Sequence, residues 1–267
     1  MKIFDCVTFF EEKRQMNLRF NILNDYVEKF IVCEGQYDHR GNKKKINFKV
    51  DEFPQFKYKI KHVICKSFPK ELNGWERQAY QRDFILQNIQ EISDEDLIMF
   101  SDPDEIPNPL KLKNLKLKKK YGIFLQKLFY YKLNLQDISL GNNWEGTRIC
   151  KKKNLKSIDY LRKKILKNNL KYGFWKLGKE KSIDIIDNGG WHFSYLLTPK
   201  EIQKKIKTFA HNELNLKKYT NLANINLAIN NGKDLFHRKV IYNKVNIDES
   251  YPEYIKNNQH NLKEWIC

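Results

Sequence analysis

The chain has 267 residues, 41% hydrophobic and 13% aromatic, with 50 Lys plus Arg against 32 Asp plus Glu and a formal net charge of +18. That apolar content excludes a disordered chain, and the length fits one large domain with a sizeable core, set against roughly 100 to 200 residues for a usual domain. No apolar run approaches the roughly 18 residues of a membrane span, and Met1-Lys2-Ile3-Phe4-Asp5 has an acid where a signal peptide would stay apolar, so the chain is expected to be soluble and cytoplasmic.

In chain order, Ile3 to Phe9 is a short apolar run, and Met16, Phe20, Leu23 and Val27 follow at helical spacing. Phe30 to Cys33 is strand-like, Tyr58 to Cys65 alternates, Gly74 to Ile92 is helical, and Leu97 to Phe100 is a continuous apolar run that meets acids. Strands alternating with helices predict βαβ units, hence an α/β domain with a mostly parallel sheet covered on both faces. After Pro109 the pattern is mixed, with aromatic-rich strands over Tyr121 to Leu135 and Gly146 to Cys150. Two more strands over Ile183 to Leu197 are broken at Gly189-Gly190. Thr198-Pro199-Lys200-Glu201 then supplies an N-cap, a first-turn proline and a capping-box glutamate for a helix that places Ile202, Ile206 and Phe209 on one face. No Gly-, Ser- or Pro-rich linker and no repeat divides the chain, which predicts one continuous domain over 1–267.

A strongly basic chain invites a nucleic-acid reading, but only eight of the basic residues are Arg and 42 are Lys, whereas base-edge and bidentate phosphate recognition favour Arg. The clusters Lys43 to Lys45, Lys118 to Lys120 and Lys151 to Lys153 fall in turns or at element ends, as solvated surface does. The alternative is a nucleic-acid-binding protein using these clusters, or peripheral contact with an anionic membrane. Cys6, Cys33, Cys65, Cys150 and Cys267 are odd in number and scattered, which excludes a disulfide framework and a zinc ribbon. No Asn-x-Ser/Thr sequon occurs.

The most informative segment is Asp96 to Pro107, where Ser101-Asp102-Pro103-Asp104-Glu105 follows a buried strand. Ligands of open α/β sheets bind outside the carboxyl ends of the strands. Two carboxylates one residue apart can converge on a divalent cation that carries phosphate oxygens and neutralises a diphosphate leaving group. The competing reading is an acidic turn capping the next helix. Trp75, Ala79, Leu86 and Ile89 form one face of the Gly74 to Ile92 helix with Arg82 at its centre, and a guanidinium there requires a carboxylate or phosphate partner.

Phe9-Phe10 before a helix, Val32-Cys33-Glu34-Gly35, Trp75-Glu76-Arg77-Gln78, Ser101-Asp102-Pro103-Asp104-Glu105-Ile106-Pro107 and Gly190-Trp191-His192-Phe193-Ser194-Tyr195 occur in the order seen in glycosyltransferase family 17. The chain resembles that family over nearly its whole length. The resemblance implies a GT-A-like fold, with a nucleotide-sugar-binding half over 1–109 and an acceptor half with C-terminal helices over 110–267. It implies a metal-dependent inverting transferase using Mn²⁺ or Mg²⁺, a UDP-sugar donor such as UDP-GlcNAc, and a glycan or lipid-linked saccharide acceptor. By position, Asp102 and Asp104 match the metal and diphosphate motif, Asp104 as direct ligand and Asp102 through ribose or water, with His192 as a late metal ligand. Arg82 lies near the diphosphate, Glu34 near the base or ribose, and Thr8 and Phe10 wall the base. An inverting transfer needs a general base. Glu213, in His211-Asn212-Glu213, and Asp187 are the candidates, while Trp144 and Trp191 offer aromatic faces to a sugar ring. A transferase that binds the sugar nucleotide without turnover is the remaining alternative.

Overall fold

A computed structural model describes residues 1–173, 175–208 and 212–267. Its centre is a parallel four-strand array formed by β1 (Ile3–Phe9), β2 (Lys29–Gly35), β3 (Ile60–Cys65) and β4 (Leu97–Ser101), in the spatial order β4-β1-β2-β3. The short β5 (Glu105–Pro107) follows the acidic turn, and β6 (Tyr121–Tyr130), β7 (Leu135–Asp137) and β8 (Trp144–Lys151) extend the sheet, with β8 antiparallel to both β4 and β6. Along the remaining edge of β6, β9 (Ile183–Ile186) and β10 (Gly190–Ser194) pair in parallel one after the other, and β11 (Tyr242–Lys244) pairs with β7.

Period-two alternation on the parallel strands sends side chains to two cores. Val7, Phe9, Val32 and Met99 face one layer, packed under α1 (Lys13–Leu23), whereas Cys6, Cys33, Ile98 and Phe100 face the other, packed under α2 (Gly74–Gln87). Strands buried on both faces read as continuous apolar runs, as they do in this sequence. Beyond the short α3 (Pro109–Leu112), α4 (Ile158–Lys164) packs beside α2. A third apolar cluster lies under α5 (Pro199–Thr208), α6 (Lys217–Thr220) and α7 (Leu222–Asn230), and α8 (Glu253–Asn257) returns to α1. Among the described residues, no helix is long and apolar enough to cross a membrane.

Several predicted boundaries move. The helix expected over Gly74 to Ile92 stops at Gln87, where Asn88 folds its side-chain amide back onto the Phe84 carbonyl and its backbone N–H onto Ile85. The buried face of that helix is Gln81, Arg82 and Ile85, leaving Trp75 41% exposed. The strand expected from Tyr121 to Leu135 breaks at Tyr131, which adopts a left-handed φ of 61°. Tyr58 and Lys59 close a 3-10 turn, so the third strand begins at Ile60. The capping box at Thr198 forms, with its N–H on the Glu201 carboxylate at 2.7 Å; Phe209 lies outside the described residues. Cys6, Cys33, Cys65 and Cys150 are buried free thiols, and burial pushes Cys65 up to about 11 and Cys150 up to about 12.

One polar cluster is enclosed between α1 and the sheet. Arg19, fully buried, donates from Nε and Nη2 to both oxygens of Asp5 at 2.6 and 2.5 Å, from Nη2 to Ser101 Oγ at 2.7 Å, and from Nη1 to the Glu105 carbonyl at 2.8 Å. Removing one charge from such a pair leaves the other uncompensated, at a cost of about 3 to 5 kcal/mol. Arg19→Met is therefore expected to lose about that much unfolding free energy in urea, and adding Asp5→Leu to recover part of it. A double variant no more stable than Arg19→Met would show that the isolated Asp5 charge is not what destabilises.

Candidate active site

The carboxyl ends of β1, β2 and β4 point to the same edge, and the cleft lies there. Thr8 and Phe10 at the end of β1, Gly35 closing β2 and His39 after it, and Gln78 and Gln81 on α2 form one side. Asp102 to Glu105, Trp144, His192, Tyr195 and Lys205 form the other. A Cβ on Gly35 would lie 2.9 Å from the Tyr37 carbonyl, so the chain turns into this wall where no side chain fits.

The acidic turn is shaped by backbone contacts before its side chains act. The Glu105 N–H closes on the Asp102 carbonyl at 3.0 Å, and Ser101 Oγ donates to the Glu105 carbonyl at 3.0 Å. β10 then runs antiparallel to β5 with His192 opposite Glu105, and the Phe193 N–H donates to the Asp104 carbonyl at 2.8 Å. This approach depends on Gly190, whose φ is 132° and where a Cβ would stand 2.2 Å from the Ile106 carbonyl oxygen. The glycine pair thus lets β10 carry His192 to the turn.

The acids of the turn meet cations from three helices. Asp102 Oδ1 accepts from Arg82 of α2 at 3.3 Å, and Oδ2 accepts from Arg162 of α4 at 2.9 Å. Arg82 also holds Asp159 at 3.0 Å. Arg162 reaches Glu105 Oε1 at 2.6 Å, an oxygen that also accepts the Trp144 indole N–H at 2.8 Å. Asp104 Oδ1 lies 3.5 Å from His192 Nε2, and Oδ2 lies 3.5 Å from the Lys205 ammonium of α5. The Trp144 ring packs on the His192 imidazole with centroids 4.6 Å apart, while among the described residues the buried His192 Nδ1 has no hydrogen-bond partner.

These pairings set the charge states. Burial would raise the Asp102 carboxyl, but Arg162 and Arg82 outweigh it and hold it at about 2. Burial is likewise overcome at Asp104, which Lys205 and His192 hold well below the carboxylate range. Lys205 is raised because Asp104 and Glu12 outweigh its own desolvation. The turn is therefore anionic, and Lys205 cationic, across the neutral range.

Thr8, Phe10, Asp102, Asp104, Trp144 and His192 are brought together at the cleft. Arg82 stands behind Asp102 rather than on the cleft wall. Glu34 does not face the cleft: its buried carboxylate holds the Lys44 ammonium, the Asn47 N–H at 2.8 Å and the Phe48 N–H at 2.9 Å, which anchors the loop after β2. Trp191 is 4% exposed inside the core under α1, with its indole N–H on the Ser250 carbonyl, so no sugar can reach its face. Alternation along β10 explains this, because His192 and Trp191 point to opposite faces. Asp187 is exposed in the turn between β9 and β10, away from the cleft. Glu213 borders a second groove beside Trp75, and His211 lies outside the described residues. Sequence reasoning missed Asp5, Arg19, Arg162 and Lys205.

The fold and site define an α/β domain whose strand-end cleft holds a cation-clamped acidic turn. The chain belongs to glycosyltransferase family 17, whose sequence model matches residues 1–241. It is 25% identical over 116 residues to the beta-1,4-mannosyl-glycoprotein 4-beta-N-acetylglucosaminyltransferases of Rattus norvegicus and Homo sapiens. Those matches cover 40% of this chain and 22% of each relative, so the chain spans about a fifth of the length of the curated relatives it matches. Among solved structures, Staphylococcus aureus TarS 1-349 aligns with a TM-score of 0.39 at 15% identity, covering 86% of this chain and 70% of that one. A glycosyltransferase involved in glycosylation of the major capsid of PBCV-1 aligns with a TM-score of 0.32 at 10% identity, covering 70% and 82%. Overlaps this loose transfer no residue assignments.

The Asp102 pairing predicts a pH signature. Its folded pKa of about 2 lies below an unfolded value of about 3.9, so its contribution to stability is full above about pH 4 and lost as the pH falls toward 2. The gap in urea midpoint between wild type and Asp102→Asn is expected to close over that window. A gap that stays constant down to pH 2 would remove charge pairing as its cause.

Proposed function

We propose that the protein is a metal-dependent, inverting glycosyltransferase that moves a sugar from a UDP-sugar, foremost UDP-GlcNAc, onto a saccharide acceptor. The observation that carries this reading is the convergence of Asp104 Oδ1 and His192 Nε2, 3.5 Å apart on the cleft wall, with the Lys205 ammonium at the other Asp104 oxygen. Without a metal His192 faces Asp104 as a hydrogen-bond partner; in the tautomer with the proton on Nδ1 both Nε2 and Oδ1 would be acceptors, and a shared cation would sit between them.

The donor set fits a divalent ion in a limited way. Asp104 and His192 would hold it, because both Asp102 oxygens are engaged by Arg82 and Arg162. Among the described residues no group of three or more His, Cys, Asp or Glu side chains could hold a metal, so diphosphate oxygens and water would complete the coordination, as hard cations at nucleotide sites allow. When bound, the ion supplies Lewis-acid neutralisation of the diphosphate.

The chain's own residues account for the rest of the reading. Lys205, already charged and on the cleft wall, is placed to neutralise the leaving diphosphate. Arg162 and Trp144 both hold Glu105, fixing the turn, and the Trp144 ring orients the His192 imidazole. Thr8, Phe10 and Gly35 offer a narrow wall for a planar base.

Calorimetry with UDP and UDP-GlcNAc is expected to show binding that strengthens with Mn²⁺; a folded sample that binds neither in a metal-dependent way would overturn the reading. Asp104→Ala is expected to abolish transfer in a sample that still folds cooperatively, with a urea midpoint below wild type because Lys205 loses its paired carboxylate. Lys205→Met is expected to weaken donor binding by about tenfold, or roughly 1.4 kcal/mol. Unchanged donor affinity in Lys205→Met would remove that ammonium from the diphosphate site.

A further inference from the structure

The loop after β2 turns an imidazole toward the cleft, and α2 decides which of its nitrogens can accept. His39 lies on the cleft wall in a tight loop held by Asp38, whose carboxylate accepts from the Arg40 and Asn42 N–H groups at 2.9 and 2.8 Å. α2 holds this residue twice: Arg77 Nη1 donates to the His39 carbonyl at 3.2 Å, and Gln81 Oε1 lies 2.9 Å from His39 Nε2. The orientation of the Gln81 amide is set at its other end, where Nε2 donates to the Cys33 carbonyl at 3.0 Å, a group that can only accept. Gln81 Oε1 can therefore only accept from the ring, which puts the imidazole proton on His39 Nε2. Burial, reinforced by the Arg82 guanidinium, pushes the imidazole below its ordinary value despite that hydrogen bond, so the ring is neutral at pH 7. His39 Nδ1 is then a lone pair, and among the described residues it has no hydrogen-bond partner. Gln78 lies three residues before Gln81 and also lines the cleft, and no described residue hydrogen-bonds its side-chain amide.

We propose that His39 reads the nucleobase of the donor, accepting the ring N–H of uracil on Nδ1 while the Gln78 amide donates to a carbonyl oxygen beside it. The inference rests on the nucleotide-sugar reading and specifies the base. Uracil offers a ring N–H between two carbonyls, whereas cytosine presents a lone pair at the same ring position, which would face the Nδ1 lone pair. Gln78 cannot draw that distinction, because its amide can turn end for end and serve either edge. His39 can, because Gln81 fixes its tautomer. Ribose hydroxyls donate and accept equally well, so a fixed acceptor would select nothing among them. A site built around one hydrogen bond rejects the analogue that lacks it, because its own polar group is left unpaired. The Trp75-Glu76-Arg77-Gln78 string thereby gains a role, with Arg77 holding the reading loop and Gln78 facing the base.

Calorimetry in Mn²⁺ with UDP, CDP and 3-methyluridine 5′-diphosphate tests this. Wild type is expected to bind UDP at least about tenfold more tightly than either analogue, the fold-change for one acceptor left unpaired. In His39→Ala, UDP is expected to weaken by about tenfold and to bind within about threefold of CDP, while the 3-methyl analogue, whose methyl group then has room, binds no worse than to wild type. If UDP binds wild type with no preference over the two analogues, or if its preference survives in His39→Ala, the base reading is overturned and the nucleotide-sugar reading stands. If none of the three binds, both fall. The tautomer is read separately by nitrogen-15 NMR of labelled histidine. The chain has six His, and the ring signals lost in His39→Ala assign His39. They are expected to show a protonated Nε2 and an unprotonated Nδ1 that shifts on adding UDP. Gln81→Leu, which removes the oxygen that selects the tautomer, is expected to give a mixture of both tautomers and to reduce the preference for UDP over CDP. A wild-type ring protonated on Nδ1 alone would also overturn the inference.

Discussion

The guanidinium of Arg19 is the point on which the site geometry depends. It lies where α1, β1, β4 and β5 meet, and its donors go to Asp5, Ser101 and the Glu105 carbonyl. A neutral hydrogen-bonding residue could not satisfy a buried carboxylate and a carbonyl four residues beyond β4 together, because only the guanidinium offers a rigid fork of N–H groups with a charge behind it. The result is that the backbone from Ser101 to Glu105 is tied from beneath the sheet. The side chains of Asp102 and Asp104 are thereby presented from a fixed turn before any ligand arrives.

That turn concentrates negative charge, and the fold answers it from several parts of the chain. Arg82 comes from α2, Arg162 from α4, Lys205 from α5, and the imidazole of His192 from β10. Because three of these groups come from beyond Pro109, the site assembles only when the second half of the chain has packed on the parallel strands. Gly190 makes this possible through backbone conformation alone, since any side chain there would collide with β5. The left-handed Tyr195 that follows β10 turns the chain toward α5 and so toward Lys205.

The parallel strands, the helices between them and the acidic turn were legible in the sequence because each rests on local signals: continuous apolar runs, helical spacing, and acids after a buried strand. What could not be read locally were partners distant in sequence. Arg19 on α1 and Asp5 in β1 carry no local signal of their partnership, because each is satisfied only by the other in the folded chain. A usable signal was nevertheless present. In a chain with 42 Lys and only eight Arg, four of those Arg, namely Arg19, Arg82, Arg148 and Arg162, are buried or nearly so around the turn, where a planar fork is required and an ammonium would not serve. The Trp191 misassignment came from reading a motif string without its period: adjacent residues of a strand face opposite ways, so only one of Trp191 and His192 can reach the cleft.

The net charge of the whole chain therefore says little about the cleft, where the balance is local. Lys44 answers Glu34, and Lys151 and Lys153 answer Glu95, so members of the basic clusters are paired with nearby acids. At the turn, Asp102, Asp104 and Glu105 face Arg82, Arg162 and Lys205, with Arg82 and Lys205 shared with Asp159 and Glu12, so each of these charges has an opposite partner close by. A nearly neutral site offers little net attraction to a diphosphate alone, which would add negative charge beside three carboxylates, or to a divalent cation alone, which would add positive charge beside three cations. Arriving together they cancel, and on the proposed reading each lowers the cost of admitting the other. Such coupling is reciprocal by thermodynamic necessity. The metal dependence of donor binding and the donor dependence of metal binding are then one free energy, set by how completely the protein has already compensated its own acids.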